Sequence, residues 1–262
     1  MTSEFRVTAM YYRFASETGR DDFGRAAPSA GTLGVFDCAL SDGILKAVPT
    51  VEFRDREAAK QALEPYLRDW EQAAFLSPRA HRLRFEYEGS DVEEIDPQPR
   101  ILNVFPEAAT GSGSAFGATV VTRVNREYPP FDAGFTRTPL TDLLAERLRR
   151  TRDGGELWPA FAYFVLTQLE AGFGGAEKGD KRRRKMARTL AVEWPVVARL
   201  GEITARPDPE IGRKAAKDPA PITASERGWM EVVVVRFIRR VGEHAAGGPL
   251  TPITMADVPP LT

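Results

Sequence analysis

The sequence predicts an α+β fold: an N-terminal antiparallel sheet with one principal helix, followed by a C-terminal helical region. Three observations predict it. Before residue 135, stretches rich in β-formers alternate apolar and polar side chains, the period of a strand with one buried face. Only residues 59–74 in that half switch to helical spacing, and parallel strands would need crossover helices, so the strands are expected to pair antiparallel. After residue 135 the apolar residues recur three and four apart through most of the chain. The expected division is 1–134 and 135–262, with "YPPFDAG" (128–134) as the joint and no long linker to prevent a shared core.

In the first half, Phe5, Val7, Ala9 and Tyr11 alternate with Arg6, Thr8 and Met10, which predicts a strand over 5–14. Residues 16–31 carry charge, Gly and Pro and read as a loop. Within 32–53, Asp42-Gly43 sits between two apolar runs, and glycine's tolerance of positive φ makes that pair a tight hairpin signal. Ala59, Ala62, Leu63, Tyr66, Leu67, Trp70, Ala73 and Ala74 then share one helical face. Pro65 lies inside the pattern and is expected to kink or break it near Glu64. Leu83, Phe85 and Tyr87 alternate with Arg82, Arg84, Glu86 and Glu88, and "GSD" (89–91) is expected to turn that strand back into "VEEID". Residues 100–105 and 118–128 are further strand candidates.

In the second half, Thr138-Pro139 opens a helix carrying Leu140, Leu143, Leu144 and Leu148, and Gly154-Gly155 ends it. Residues 156–171 are apolar nearly all round, which predicts the most buried helix of this half. Two short helices follow within 181–202, then a Pro-rich charged connector (206–221). Thr223 and Glu226 have the spacing of a capping box. Met230, Val233, Val234, Phe237 and Val241 keep helical spacing after it, with Arg236, Arg239 and Arg240 turned away; four successive valines pull towards strand. Residues 247–262 form a Gly/Pro-rich tail.

Composition limits the function classes. Of 262 residues, 42% are hydrophobic and 28% charged, enough apolar surface for a globular core. A net charge of −1 supplies no global field towards nucleic acid or an anionic membrane. The distribution is uneven: residues 1–137 hold 16 Lys and Arg against 21 Asp and Glu, residues 138–262 hold 20 against 16. Cys38 is the sole cysteine, so no internal disulfide forms, which fits a reducing compartment. The N-terminus lacks an apolar signal-type run, and the longest apolar stretch, 157–166, is shorter than the roughly 20 residues a bilayer requires. The expectation is a cytoplasmic protein with no membrane partner.

"KRRRKMARTLAVEWPVVARLGE" (181–202) is the strongest lead. Ala187, Ala191, Val197 and Leu200 match helix-turn-helix spacing, Leu190 and Val192 would pack beneath, and Pro195 suits the first turn of a second helix. Lys181, Arg182, Arg183, Arg184, Lys185 and Arg188 are the candidate phosphate contacts, and Arg199 the candidate base reader. Two features oppose this. The turn holds Ala191 where glycine would ease positive φ, and the outward positions Pro195, Val196, Arg199 and Glu202 make a poor reading surface. The competing reading is an αα-hairpin whose charged first turn is solvated, so that replacing Arg182, Arg183 and Arg184 by Gln changes stability little.

Other constellations point elsewhere less strongly. "GSGSAFG" (111–117) precedes a strand-like run and not a helix, and no Lys-Ser or Lys-Thr follows it, so it reads as a loop and not a phosphate cradle. His81 and His244 are the only histidines and lie in no ligand spacing; no metal and no cofactor are expected. Cys38 reads as a small strand residue and not a nucleophile. Asp91, Glu93, Glu94 and Asp96 divide between two strand faces and do not converge. Tyr11, Tyr12, Trp70, Phe85 and Tyr87 fit a sheet-on-helix core. The function favoured on sequence is a non-catalytic binding or assembly protein with a protein partner or self-association. The alternative is nucleic-acid binding through residues 178–202, and the third class is an enzyme with a site assembled from distant residues.

Overall fold

The computed structural model describes residues 4–16, 26–77, 83–95, 127–131, 134–205 and 221–261. The architecture is α+β, with a five-stranded antiparallel sheet first, one helix after β4, and a helical C-terminal region. The chain divides into two compact units, Met1–Leu67 with Arg82–Phe131 and Arg68–His81 with Asp132–Thr262.

The sheet unit contains β1 (Glu4–Ser16), β2 (Ser29–Leu33), β3 (Phe36–Ser41), β4 (Ile44–Pro49) and β5 (Leu83–Ile95), in the order β2-β3-β4-β1-β5. Asp42 (φ 51) and Gly43 (φ 75) make the two-residue turn between β3 and β4, both in the left-handed region that a primed hairpin turn demands. Cys38 and Leu40 of β3 and Leu45 and Ala47 of β4 form the buried rows that this register aligns.

Two bulges alter the face expected of β1. Val7 pairs with Val92 but Ala9 with Asp91, so Thr8 is an extra residue in β1; Tyr11 pairs with Gly89 but Tyr12 with Tyr87, so Glu88 is extra in β5. Because the side-chain period is two, one extra residue swaps faces. Val7 before the first bulge and Met10, Tyr12 and Phe14 after it are therefore all buried; Phe5, at the start of the strand, is exposed. The expected turn at residues 89–91 does not form. β5 runs straight through Gly89, Ser90 and Asp91, because β1 is long enough to pair with all three.

α1 (Arg56–Phe75) is one helix through Pro65, where a break was expected. Pro65 and Gln61 are both exposed, so the carbonyl deprived of its donor faces water and not the core. Ala59, Leu63 and Leu67, four apart, are buried. The flanks of this stretch touch the sheet: Lys60 Nζ lies 4.8 Å from the Tyr87 ring centre, and a Cβ on Gly34 would collide with Tyr66.

The helical unit contains α2 (Pro139–Arg152), α3 (Trp158–Phe173), α4 (Gly179–Thr189), α5 (Trp194–Ala205) and α6 (Ala224–Ala245), with the last turns of α1. Thr138 and Thr141 close a capping box on α2, and Thr223 and Glu226 close one on α6. The valine run is helical: Val233 and Val234 are fully buried in the core with Met230, Phe237 and Val241, so packing overrides β propensity. α3 contacts α2, α4, α5 and α6. It is nevertheless not the most buried helix. It buries the stripe Phe161, Ala162, Val165, Leu166 and Leu169, but Tyr163 is exposed, whereas α6 buries residues from Glu226 to Gly242 on a wider face. At Gly242 the approach is close, since an added Cβ would collide with the Phe135 ring.

Candidate functional site

Residues 181–202 form two helices joined by a four-residue turn. The spacing argument holds at each packed position: Ala187, Leu190, Val192, Val197 and Leu200 are all buried in the core. The turn residue Ala191 has φ 48, so the left-handed conformation that glycine eases is adopted by alanine. The N–H of Val192 donates to Ala187 O at 2.8 Å and that of Ala191 to Arg188 O at 3.2 Å, the paired bonds that end a helix in a Schellman turn.

What holds alanine in that conformation comes from far along the chain. Arg240, turned away from the core on the helical spacing, is buried instead. Its Nη1 donates to Leu190 O at 3.1 Å, its Nη2 to Thr251 O at 2.6 Å, and its Nε to Glu243 Oε2 at 2.9 Å. The tail joins the same turn. Ile253 N donates to Ala191 O and Glu193 N to Ile253 O, both at 2.9 Å, and Val192 forms a parallel bridge with Ile253. A buried guanidinium and one extended tail segment thus satisfy the carbonyls that the turn exposes.

The seven candidate cations do not act as one group. Arg182 Nε donates to Glu170 O at the end of α3, and Arg183 Nε to Glu170 Oε1 at 2.5 Å. Both arginines are half-buried, so the expected solvated first turn is wrong for these two. Arg199 Nη1 lies 3.1 Å from Glu202 and Nη2 lies 3.7 Å from Glu226. Val196, expected outward, is fully buried: the buried stripe of α5 is Val196, Val197, Leu200, Ile203 and Thr204, wide enough to take in both adjacent valines. The remaining four are different. Lys181, Arg184, Lys185 and Arg188 are exposed, and their spacing puts them on one face of α4. Arg184 lies 4.0 Å above the Trp194 ring. Among the described residues none of the four pairs with a carboxylate.

The other candidates resolve into structural roles or lie outside the described residues, as do His81, Asp96 and residues 111–117. Cys38 is buried, its Sγ 3.8 Å from Phe36 O, and burial pushes its thiol up to about 12, so it stays protonated at neutral pH. Tyr11 donates to Asp91 at 2.7 Å and Arg6 pairs with Glu93, so those carboxylates tie β5 to β1. Tyr12 packs edge-on to Tyr87 and Phe14 edge-on to Phe85 within the sheet unit, while Trp70 is buried in the helical unit. His244 packs edge-on to Phe173. Among the described residues no group of three His, Cys, Asp or Glu side chains could hold a metal, and no helix is long and apolar enough to cross a membrane. Sequence reasoning missed Arg240, because its acceptors are main-chain carbonyls that leave no trace in residue identity. No protein-family model, no curated protein and no solved structure matches the chain.

Proposed function

We propose that the chain is a non-catalytic binding protein that docks on nucleic acid through the exposed α4 side of its α4–α5 pair. The exposed row of Lys181, Arg184, Lys185 and Arg188 carries this reading. It lies on α4, which on this reading corresponds to the first helix of a helix-turn-helix, the helix that in such motifs crosses the phosphate backbone. Elsewhere on this unit Arg137, Arg147, Arg152 and Arg183 each pair with a carboxylate. Four neighbouring cations on one face instead present a field that phosphates complement. The test is fluorescence anisotropy of a labelled DNA duplex. Binding at low ionic strength that weakens steeply with added salt is expected. A duplex that stays free at micromolar protein and about 50 mM salt, conditions that favour counterion release, would end the reading.

A protein partner or a second copy is the competing reading. Leu143, Leu157 and Tyr163 favour it, since all three are large, apolar and at least two-fifths exposed on α2, α3 and the loop between them. Sedimentation at rising concentration separates the two, because self-association gives a dimer without nucleic acid.

A further inference from the structure

We infer that the partner is the phosphodiester backbone of duplex DNA, held by α4 alone and without base readout by α5; this rests on the nucleic-acid reading above. Lys181 and Arg188 are seven helical steps apart, or roughly 10 Å of helix at 1.5 Å per residue. That length covers about three base-pair rises along one strand, at about 3.4 Å each. Every member of the row is exposed and free of carboxylates among the described residues, so no ion pair has to break before a phosphate is met.

α5 is built differently. Pro195 is exposed and offers neither a backbone N–H nor a polar side chain, and Ala198 is half-exposed with no polar group. The side chains with base-reading chemistry, Arg199 and Glu202, are paired with each other, and Arg199 also reaches Glu226, which is itself buried as part of the α6 capping box. Freeing Arg199 for a guanine edge would leave Glu226 without that cation. Glu193, exposed just before α5 begins, puts negative charge where a recognition helix presents its first residues. Single-strand binders stack bases on open aromatic faces. Trp194, the aromatic side chain beside the row, already carries the Arg184 guanidinium over one face. Duplex is therefore the better fit than single strand.

The experiment uses the full chain with a labelled duplex of arbitrary sequence, the matching single strand, and a pool of randomised duplexes. Four phosphate contacts on duplex DNA give a slope of log K against log salt of about −3.6. Lys181→Gln with Arg188→Gln should bring it to about −1.8, two contacts being lost. Both positions are exposed, so the double variant should keep the wild-type melting temperature; if it does not, Lys181→Gln alone, at about −2.7, replaces it. Arg199→Ala should leave duplex affinity within about twofold, because that side chain makes no contact with DNA in this arrangement. The randomised pool should return no consensus. A tenfold loss in Arg199→Ala, or a consensus in the pool, would overturn the inference and leave nucleic-acid binding standing. Tighter binding of the single strand, with a slope near about −2.8, would overturn the duplex assignment. An unchanged slope in the double variant would place the contact on another surface. Absence of binding to duplex and single strand alike would remove the function proposed above, and this inference with it.

Discussion

The sheet unit and the helical unit use arginine in opposite ways. In the sheet, Arg6 pairs with Glu93 and Arg13 with Glu88 across β1 and β5, all on the solvent side and at least one-third exposed. In the helical unit, Arg240 is buried and bonds main-chain carbonyls of a turn and a tail, Arg183 is half-buried against Glu170, and the row on α4 is exposed without carboxylates among the described residues. The difference separates three jobs of one residue type. Exposed pairs neutralise a strand surface and contribute little, buried guanidinium groups fix backbone geometry, and the row on α4 leaves its charge facing solvent, the feature on which the proposed function rests. Charge counts do not distinguish these jobs; the partners of each guanidinium do.

The contrast breaks first at Arg240. Arg240→Met keeps much of the side-chain volume but leaves Leu190 O and Thr251 O without their donor. Leu190 O is buried, and a buried acceptor left unsatisfied costs about 1–3 kcal/mol, whereas Thr251 is exposed and its carbonyl regains water, so the variant should lose about 1–3 kcal/mol on chemical denaturation. The amide of Glu193, bonded to Ile253 O, should lose hydrogen-exchange protection before the rest of the unit. A loss under about half a kilocalorie, the range of an ordinary surface change, would mean that Arg240 does not hold the turn.

The same comparison shows how much was legible in the sequence. The α+β class, the Asp42-Gly43 hairpin, the capping box of Thr223 and Glu226 and the helix pair at 181–202 are set by local period, turn chemistry and caps, which residue identity carries directly. The misreadings are tertiary. Thr8 and Glu88 become extra residues only when two particular strands pair, and the face of Met10 follows from that pairing. Residues 89–91 carry turn chemistry, but a 13-residue β1 offers them a ladder. Pro65 is tolerated because its side of α1 faces water. In the candidate site, the sequence named the seven cations of 181–202 but neither Arg240 nor which of the seven bond within the chain. Nothing in "KRRRK" tells that Arg182 and Arg183 turn towards Glu170 while Lys181, Arg184 and Lys185 turn out. That split depends on where α3 places Glu170, twelve and thirteen residues earlier in the chain.

Arg183 sharpens the comparison at intermediate size. Its side chain and that of Glu170 are 28% and 19% exposed, between the buried Arg240 and the open pairs of the sheet. A double-mutant cycle of Arg183→Gln and Glu170→Gln should give a coupling of about 1–2 kcal/mol, within the range for contacting residues in one network. Coupling below about 0.3 kcal/mol, what independent sites show, would put Arg183 with the solvated pairs of the sheet.

The smallest expected effect is on the sheet. Arg6→Gln with Arg13→Gln removes both cross-strand pairs from β1. Exposed pairs contribute about 0–1 kcal/mol each, because water screens the attraction and two long side chains lose freedom to hold it. Register here has other determinants: the inward row of Val7, Met10, Tyr12 and Phe14, the two bulges, and the backbone ladder on both sides of β1. The double variant should therefore lose less than about 2 kcal/mol in dilute buffer, and the wild-type advantage should shrink further in high salt, where charges more than about 3 Å apart are screened at 1 M. A larger loss that salt does not reduce would show that these arginines hold β5 on β1 as Arg240 holds its turn. The two units would then use arginine alike, and the open row on α4 would stand apart from both.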